Sequence, residues 1–147
     1  MKAYSGVYSN PGYGSFFLCS DSSSSTSSYC EQVRSDFNTV DAAQSLPLPP
    51  PENTPQLYAE WPRLWSTHLR LIHWQDNIFN ASATALFPRG YGESKTPFEH
   101  FEMDAYIGYV EFLVDGKGEV SGFGLTYTVE PRVAPSRPKG DAWFRKV

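Results

Sequence analysis

Short runs in which apolar and polar residues alternate recur along the whole chain, separated by clusters of Gly, Pro, Asn and Asp. Period-two runs bounded by turn residues predict half-buried strands. Residues 4–8 form the first such run. Asn10-Pro11-Gly12-Tyr13-Gly14 follows, where Pro presets φ and Gly supplies positive φ, and residues 15–19 return as the second arm of a hairpin. The longest predicted strand covers 63–74. It places Trp65, Thr67, Leu69, Leu71 and His73 on one face and Leu64, Ser66, His68, Arg70, Ile72 and Trp74 on the other. Asp76-Asn77 turns it into a strand at 78–87. Further strands are predicted at 98–103, 106–115, 119–129 and 142–147.

Two stretches break this rhythm. Residues 20–28 are a low-complexity Ser-rich loop, and residues 39–55 carry Pro47, Pro49, Pro50, Pro51 and Pro55. So many prolines exclude a helix or central strand, which predicts a polyproline-like loop over the body. Between the two loops, Val33 and Phe37 stand four apart, enough for a short helix. About eight strands, one short helix and hairpin-spaced turns predict an all-β domain, a sandwich or a closed barrel, spanning residues 1–147.

Composition narrows the partners. The 147 residues carry a net charge of −4, which argues against a nucleic-acid partner, because phosphate binding needs a basic face. No apolar run approaches the ~20 residues of a helical membrane span. Aromatic residues reach 16% against 19% charged, sufficient for a sizeable core. Lys2 is followed by a Tyr/Gly/Ser stretch rather than an apolar run, so no signal peptide is predicted. Cys19 and Cys30 flank the Ser-rich loop, and they are either one bridge or two reduced thiols. With the Asn80-Ala81-Ser82 sequon they hint at secreted ancestry. The chain is then either cytoplasmic and free-standing or excised from a larger secreted precursor.

Tyr4-Ser5-Gly6-Val7-Tyr8 with Asn10-Pro11-Gly12-Tyr13-Gly14 resembles the opening Y-x-G-x-Y-x-N-P-x-Y-G of the C-terminal lipocalin-like domain of β-lactamase-related serine hydrolases. His73-Trp74 before Asn77-Ile78-Phe79 resembles that family's H-W-x-x-x-x-F stretch, and Val110-Glu111-Phe112 with Gly122-Phe123-Gly124-Leu125 its final strands. The Cys-flanked Ser loop and the Trp-Pro-Arg-x-Trp segment resemble the fungal branch. The resemblance implies a lipocalin-like antiparallel β-barrel that accompanies a serine hydrolase catalytic domain and sits near its active site. That catalytic domain needs a helix-borne Ser-x-x-Lys and a Tyr-x-Asn. Ser136-Arg137-Pro138-Lys139 is crowded by prolines, and Tyr8-Ser9-Asn10 belongs to the hairpin, so neither serves.

The candidate chemistry is sparse. His68 and His73 are an odd number apart and point to opposite faces of one strand, so no metal site is predicted. Tyr58, Trp61 and Trp65 cluster where a barrel mouth would lie, with Arg63 or Arg70 placed to meet a carboxylate or polarise a carbonyl. His68 and Arg70 would form an inward polar pair. Glu111 stands in an apolar strand, either buried as an acid or base or exposed on the wall. Tyr109, Phe123 and Tyr127 are further candidate ligand contacts. Two functions compete. A binding or accessory module would hold an apolar small molecule, or flank a hydrolase site, over a plugged or hydrocarbon-lined interior. A cofactor-free cyclase or isomerase of natural-product type would need an open cavity with His68, Arg70, His73 and Glu111 converging. Neither requires a cofactor. A third reading offers the Pro-rich segment 46–55 to a protein partner.

Overall fold

The computed structural model describes residues 1–20, 27–43, 54–64, 66–100, 106–128 and 140–147. A 3-10 turn at Lys2–Tyr4 leads into β1 (Gly6–Asn10), which pairs in a hairpin with β2 (Gly14–Ser20). Asn10 builds the turn: its Oδ1 accepts the backbone N–H of Gly12 and of Tyr13 at 2.8 and 2.9 Å. Helix α1 (Ser28–Ala43) follows, then β3 (Gln56–Glu60), β4 (His68–Gln75), β5 (Ile78–Phe87), β6 (Phe98–His100), β7 (Tyr106–Val114), β8 (Val120–Tyr127) and β9 (Ala142–Lys146).

Every pairing is antiparallel, in the order β4-β3-β2-β1-β9-β8-β7-β5, and a β4–β5 pairing closes these eight strands into a ring. Closure leaves the ring without a free edge. β6 extends the far half of β5 at Ala85–Phe87, outside the ring. The expected all-β, lipocalin-like barrel is therefore the observed fold. β7 departs from regular register opposite the Ala81/Ser82 step, and Gly108 occupies that point with φ +142°. A Cβ there would run into the Thr126 carbonyl, so only glycine fits.

The interior positions are filled by side chains. Tyr8, Phe16, Leu18, Leu57, Leu71, Phe79, Phe112, Phe123 and Phe144 belong to one buried cluster. Their rings interlock at centroid distances of 5.1 Å (Tyr8–Phe123), 5.3 Å (Phe79–Phe112), 5.2 Å (Phe112–Phe123) and 4.8 Å (Phe123–Phe144). A second, smaller cluster lies on the outer wall, where Val33, Phe37 and Val40 of α1 pack on Tyr58 and Leu86. Those helical positions are i, i+4 and i+7, one apolar stripe.

The structure extends or corrects several boundaries. α1 runs through 39–43, assigned above to the Pro-rich loop, because its apolar stripe continues to Val40 and no proline intervenes. β3 was not anticipated: it is five residues caught between Pro55 and Pro62. The predicted strand at 63–74 starts only at His68, because Trp61 N–H to Thr67 O (2.8 Å) and Arg63 N–H to Ser66 O (2.6 Å) hold 61–63 against 66–67 ahead of it. Cys19 and Cys30 are bridged, with Cα atoms 5.6 Å apart, and fasten the end of β2 to the first turn of α1. Residues 21–26 of the Ser-rich loop, most of the 46–55 segment, Trp65 and Ser136-Arg137-Pro138-Lys139 lie outside the described residues. Among the described residues, no helix is long and apolar enough to cross a membrane.

Candidate functional site

The barrel has two differently finished ends. At one, where β5 begins and β7 ends, the N-terminal turn folds over the interior. The Tyr4 ring stands edge-on to Phe79 (5.4 Å) and Phe112 (4.8 Å), and its hydroxyl donates to Asn77 Oδ1 at 2.6 Å. Tyr8 donates its hydroxyl to the Tyr4 carbonyl at 2.7 Å, and burial raises the Tyr8 phenol above its ordinary range. His73 lies at this capped end, its ring 5.1 Å from Phe79 and its Nε2 3.0 Å from the Asp76 carbonyl.

The other end is the mouth. The β1–β2 turn, the 61–67 loop, the end of β8 and the start of β9 converge there. Trp61 is buried and closes the interior from above, 5.7 Å from Phe16 and 5.9 Å from Phe144, with its indole N–H donated to the Tyr13 carbonyl at 3.3 Å. The Arg63 guanidinium sits 5.1 Å from the Tyr13 ring and 5.2 Å from the Trp61 ring. Among the described residues, its buried Nε and Nη2 have no hydrogen-bond partner and it forms no ion pair. Nε and Nη2 share one edge of the guanidinium plane, the edge that receives a carboxylate bidentately. Tyr127 is partly exposed beside it. Its phenol is raised by burial and by a hydrogen bond with the Tyr13 phenol, while the Arg63 charge pulls the other way. Tyr127 N–H is donated to Asp141 Oδ2 at 3.0 Å.

The structure thus brings Trp61 and Tyr127 together around Arg63, and scatters the other candidates. His68 and Arg70 do not form an inward pair. Leu69 and Leu71 take the inward positions, so His68 and Arg70 face outward beneath α1. There the Arg70 Nη2 reaches both carboxylate oxygens of Asp41 at 2.8 Å, and its guanidinium lies 4.4 Å from the Phe37 ring. Phe37 also meets the His68 ring edge-on at 5.4 Å. Burial lowers the His68 pKa, against the opposing pull of the Asp36 and Glu60 carboxylates. Glu99 of β6 stands at the same seam, its carboxyl raised by burial. Tyr58 packs on Phe37 under the helix, 5.1 Å between ring centroids. Phe123 is deep in the interior. Val110 and Phe112 point inward from β7, which puts Tyr109, buried, and Glu111, half-buried, on its outer face.

Sequence reasoning treated Tyr13 only as a turn residue, although an aromatic in a hairpin turn at a barrel rim is a signal in itself. It also missed Asp36, Asp41 and Glu60. Asp36 and Asp41 flank the apolar stripe of α1, the positions from which a helix reaches onto the wall below. Comparisons with protein-family models, with curated proteins and with solved structures returned no match.

Proposed function

We propose that this protein is a lipocalin-like binding module that takes a hydrophobic small molecule bearing a carboxylate or carbonyl group at its mouth. The observation that carries this reading is the Arg63 guanidinium, lying against both the Tyr13 and Trp61 rings with its Nε/Nη2 edge unpartnered among the described residues. A guanidinium with a buried, unpartnered bidentate edge is costly to keep, and an anionic or strongly polar acceptor that displaces its cover would relieve that cost. In this reading Arg63 holds the polar head, Tyr13 and Trp61 cover the apolar body, and Tyr127 offers its hydroxyl.

The filled interior favours a second form of the same proposal, suggested by the resemblance to hydrolase C-terminal domains. The module would flank a serine hydrolase active site and present the mouth to that enzyme's substrate. The cyclase or isomerase reading has less support, because His68, Arg70, His73 and Glu111 occupy the helix seam, the capped end and the outer wall rather than one cavity.

Titration of tryptophan fluorescence with 1-naphthylacetate, and with the matching naphthyl alcohol, tests the proposal. The acid should bind saturably and about tenfold more tightly than the alcohol, since each charge-assisted hydrogen bond is worth ~1.5–3 kcal/mol. Arg63→Gln should abolish the difference. Equal, unsaturable responses to both compounds that Arg63→Gln leaves unchanged would refute it.

A further inference from the structure

Beneath the start of β4, three side chains from three elements converge on the outer wall. One carboxylate oxygen each from Asp36 of α1 and Glu60 of β3, and one imidazole nitrogen of His68 of β4, all lie within 4.8 Å of one another. Glu60 and His68 are cross-strand partners, and α1 lays Asp36 over them.

The imidazole is oriented for this position. Its Nδ1 lies 2.7 Å from Thr67 Oγ1, and Thr67 Oγ1 also accepts the Leu86 N–H at 3.1 Å. With Nδ1–H donated to that hydroxyl, the Nε2 lone pair faces the two acids. His68 is only 6% exposed, and among the described residues its buried Nε2 makes no hydrogen bond. Asp36 Oδ2 is 3.5 Å away, too long for a well-formed one. The other Asp36 oxygen is already engaged by Gln32 Nε2 at 2.8 Å, which leaves Oδ2 aimed at His68. Such outer hydrogen bonds, fixing a ring and a carboxylate from behind, are what metal ligands require.

Charge points the same way. Arg70 is the cation of this seam, and its Nη2 is committed to both Asp41 oxygens. Asp36 and Glu60 therefore share no described cation. Two carboxylates and an imidazole facing one another in a largely dry space are held apart by repulsion unless a positive charge joins them.

We propose that Asp36, Glu60 and His68 bind a divalent transition-metal ion, with zinc the best match to one imidazole and two carboxylates. Three protein ligands leave a fourth tetrahedral position for water. The His68 and Asp36 atoms, 3.5 Å apart, already stand near the ~3.4 Å separations of tetrahedral zinc, and the widest separation needs to close by up to about 1.4 Å. The ion staples α1 to β3 and β4 beneath the helix, on the outer wall and away from the barrel interior.

The test uses the whole chain, stripped with EDTA, dialysed, and titrated with zinc chloride by calorimetry and thermal melting. One ion should bind per chain and raise Tm by about 5–10 °C at a hundredfold excess over Kd. Cobalt(II) should give the intense visible bands of a four-coordinate site. Asp36→Asn and Glu60→Gln should each weaken binding at least about tenfold, whereas a His73→Gln/His100→Gln double variant should bind as the parent does. Absence of stoichiometric binding to the parent overturns the proposal. So does loss of binding in the double variant with retention in the acid variants. Should an acid variant fail to fold, the cobalt spectrum of the parent and the affinity of the double variant decide the matter.

Discussion

The capped end and the mouth draw on the same aromatic chemistry and differ in the charge of what they leave unsatisfied: a neutral Ser5 hydroxyl at the cap, the Arg63 guanidinium at the mouth. At the capped end the hydroxyl of Tyr4, the hydroxyl of Tyr8 and Nε2 of His73 each have an acceptor or donor within 3.0 Å. At the mouth, Arg63 keeps two buried nitrogens without one. Satisfying a buried polar group contributes about 1 kcal/mol, and leaving one unsatisfied costs about 1–3 kcal/mol. The capped end satisfies its ring groups and leaves the neutral Ser5 Oγ buried without a partner among the described residues, where the mouth leaves a charged group so. The mouth forgoes stability at that unpartnered guanidinium edge, which is the edge the proposed ligand would engage.

Four substitutions or conditions sharpen this contrast. The largest effect is expected where both ends share a floor. Phe123 touches Tyr8 and Phe112 toward the cap and Phe16 and Phe144 toward the mouth, so Phe123→Ala should lose about 3–5 kcal/mol in urea unfolding. Tyr4→Ala uncovers the capped end alone. It should lower stability by about 2 kcal/mol in the same assay and leave naphthylacetate affinity unchanged. Arg63→Leu should do the reverse: stability unchanged or raised by about 1 kcal/mol, with acid binding lost. A clear destabilisation by Arg63→Leu would mean that the mouth is as finished as the cap.

The smallest effect concerns the helix seam. In metal-free protein, the lowered His68 pKa means that the unfolded chain takes up a proton more readily than the folded one. That contribution is fully present above the ordinary histidine value of about 6.5 and is lost as pH falls through the lower folded value. Melting temperature should therefore decline on the acid side of 6.5, and His68→Gln should flatten the slope. The difference between the two proteins isolates His68 from Glu99, whose raised pKa acts in the opposite sense.

How much was legible in the sequence follows the range of the forces involved. Turn chemistry and alternation are local, so β5 was placed at its observed bounds and the β1–β2 hairpin came directly from Asn10-Pro11-Gly12-Tyr13-Gly14. β3 was invisible because five residues between prolines carry too little pattern, and only pairing to β2 and β4 makes them a strand. Parity on β4 correctly grouped His68 with Arg70, but it could not tell which face a helix from elsewhere in the chain would cover. For the same reason Asp36 and Glu60 could not be joined to His68: their meeting depends on where α1 docks, a tertiary fact. Trp61 and Arg63 were legible as a mouth because they share one short loop. Tyr13 and Tyr127 complete that mouth only through ring closure.

The side-by-side pairing of β1 with β9 has a practical reach. It brings residues 1 and 147 out together beside the Tyr4 cap, with Val147 N–H donated to the Val7 carbonyl at 3.0 Å. A tag, surface anchor or neighbouring polypeptide spliced to either terminus would hang from the sealed side and leave the Arg63 rim unobstructed. Immobilised through either extremity, the protein would present its proposed receptor face outward to whatever flows past.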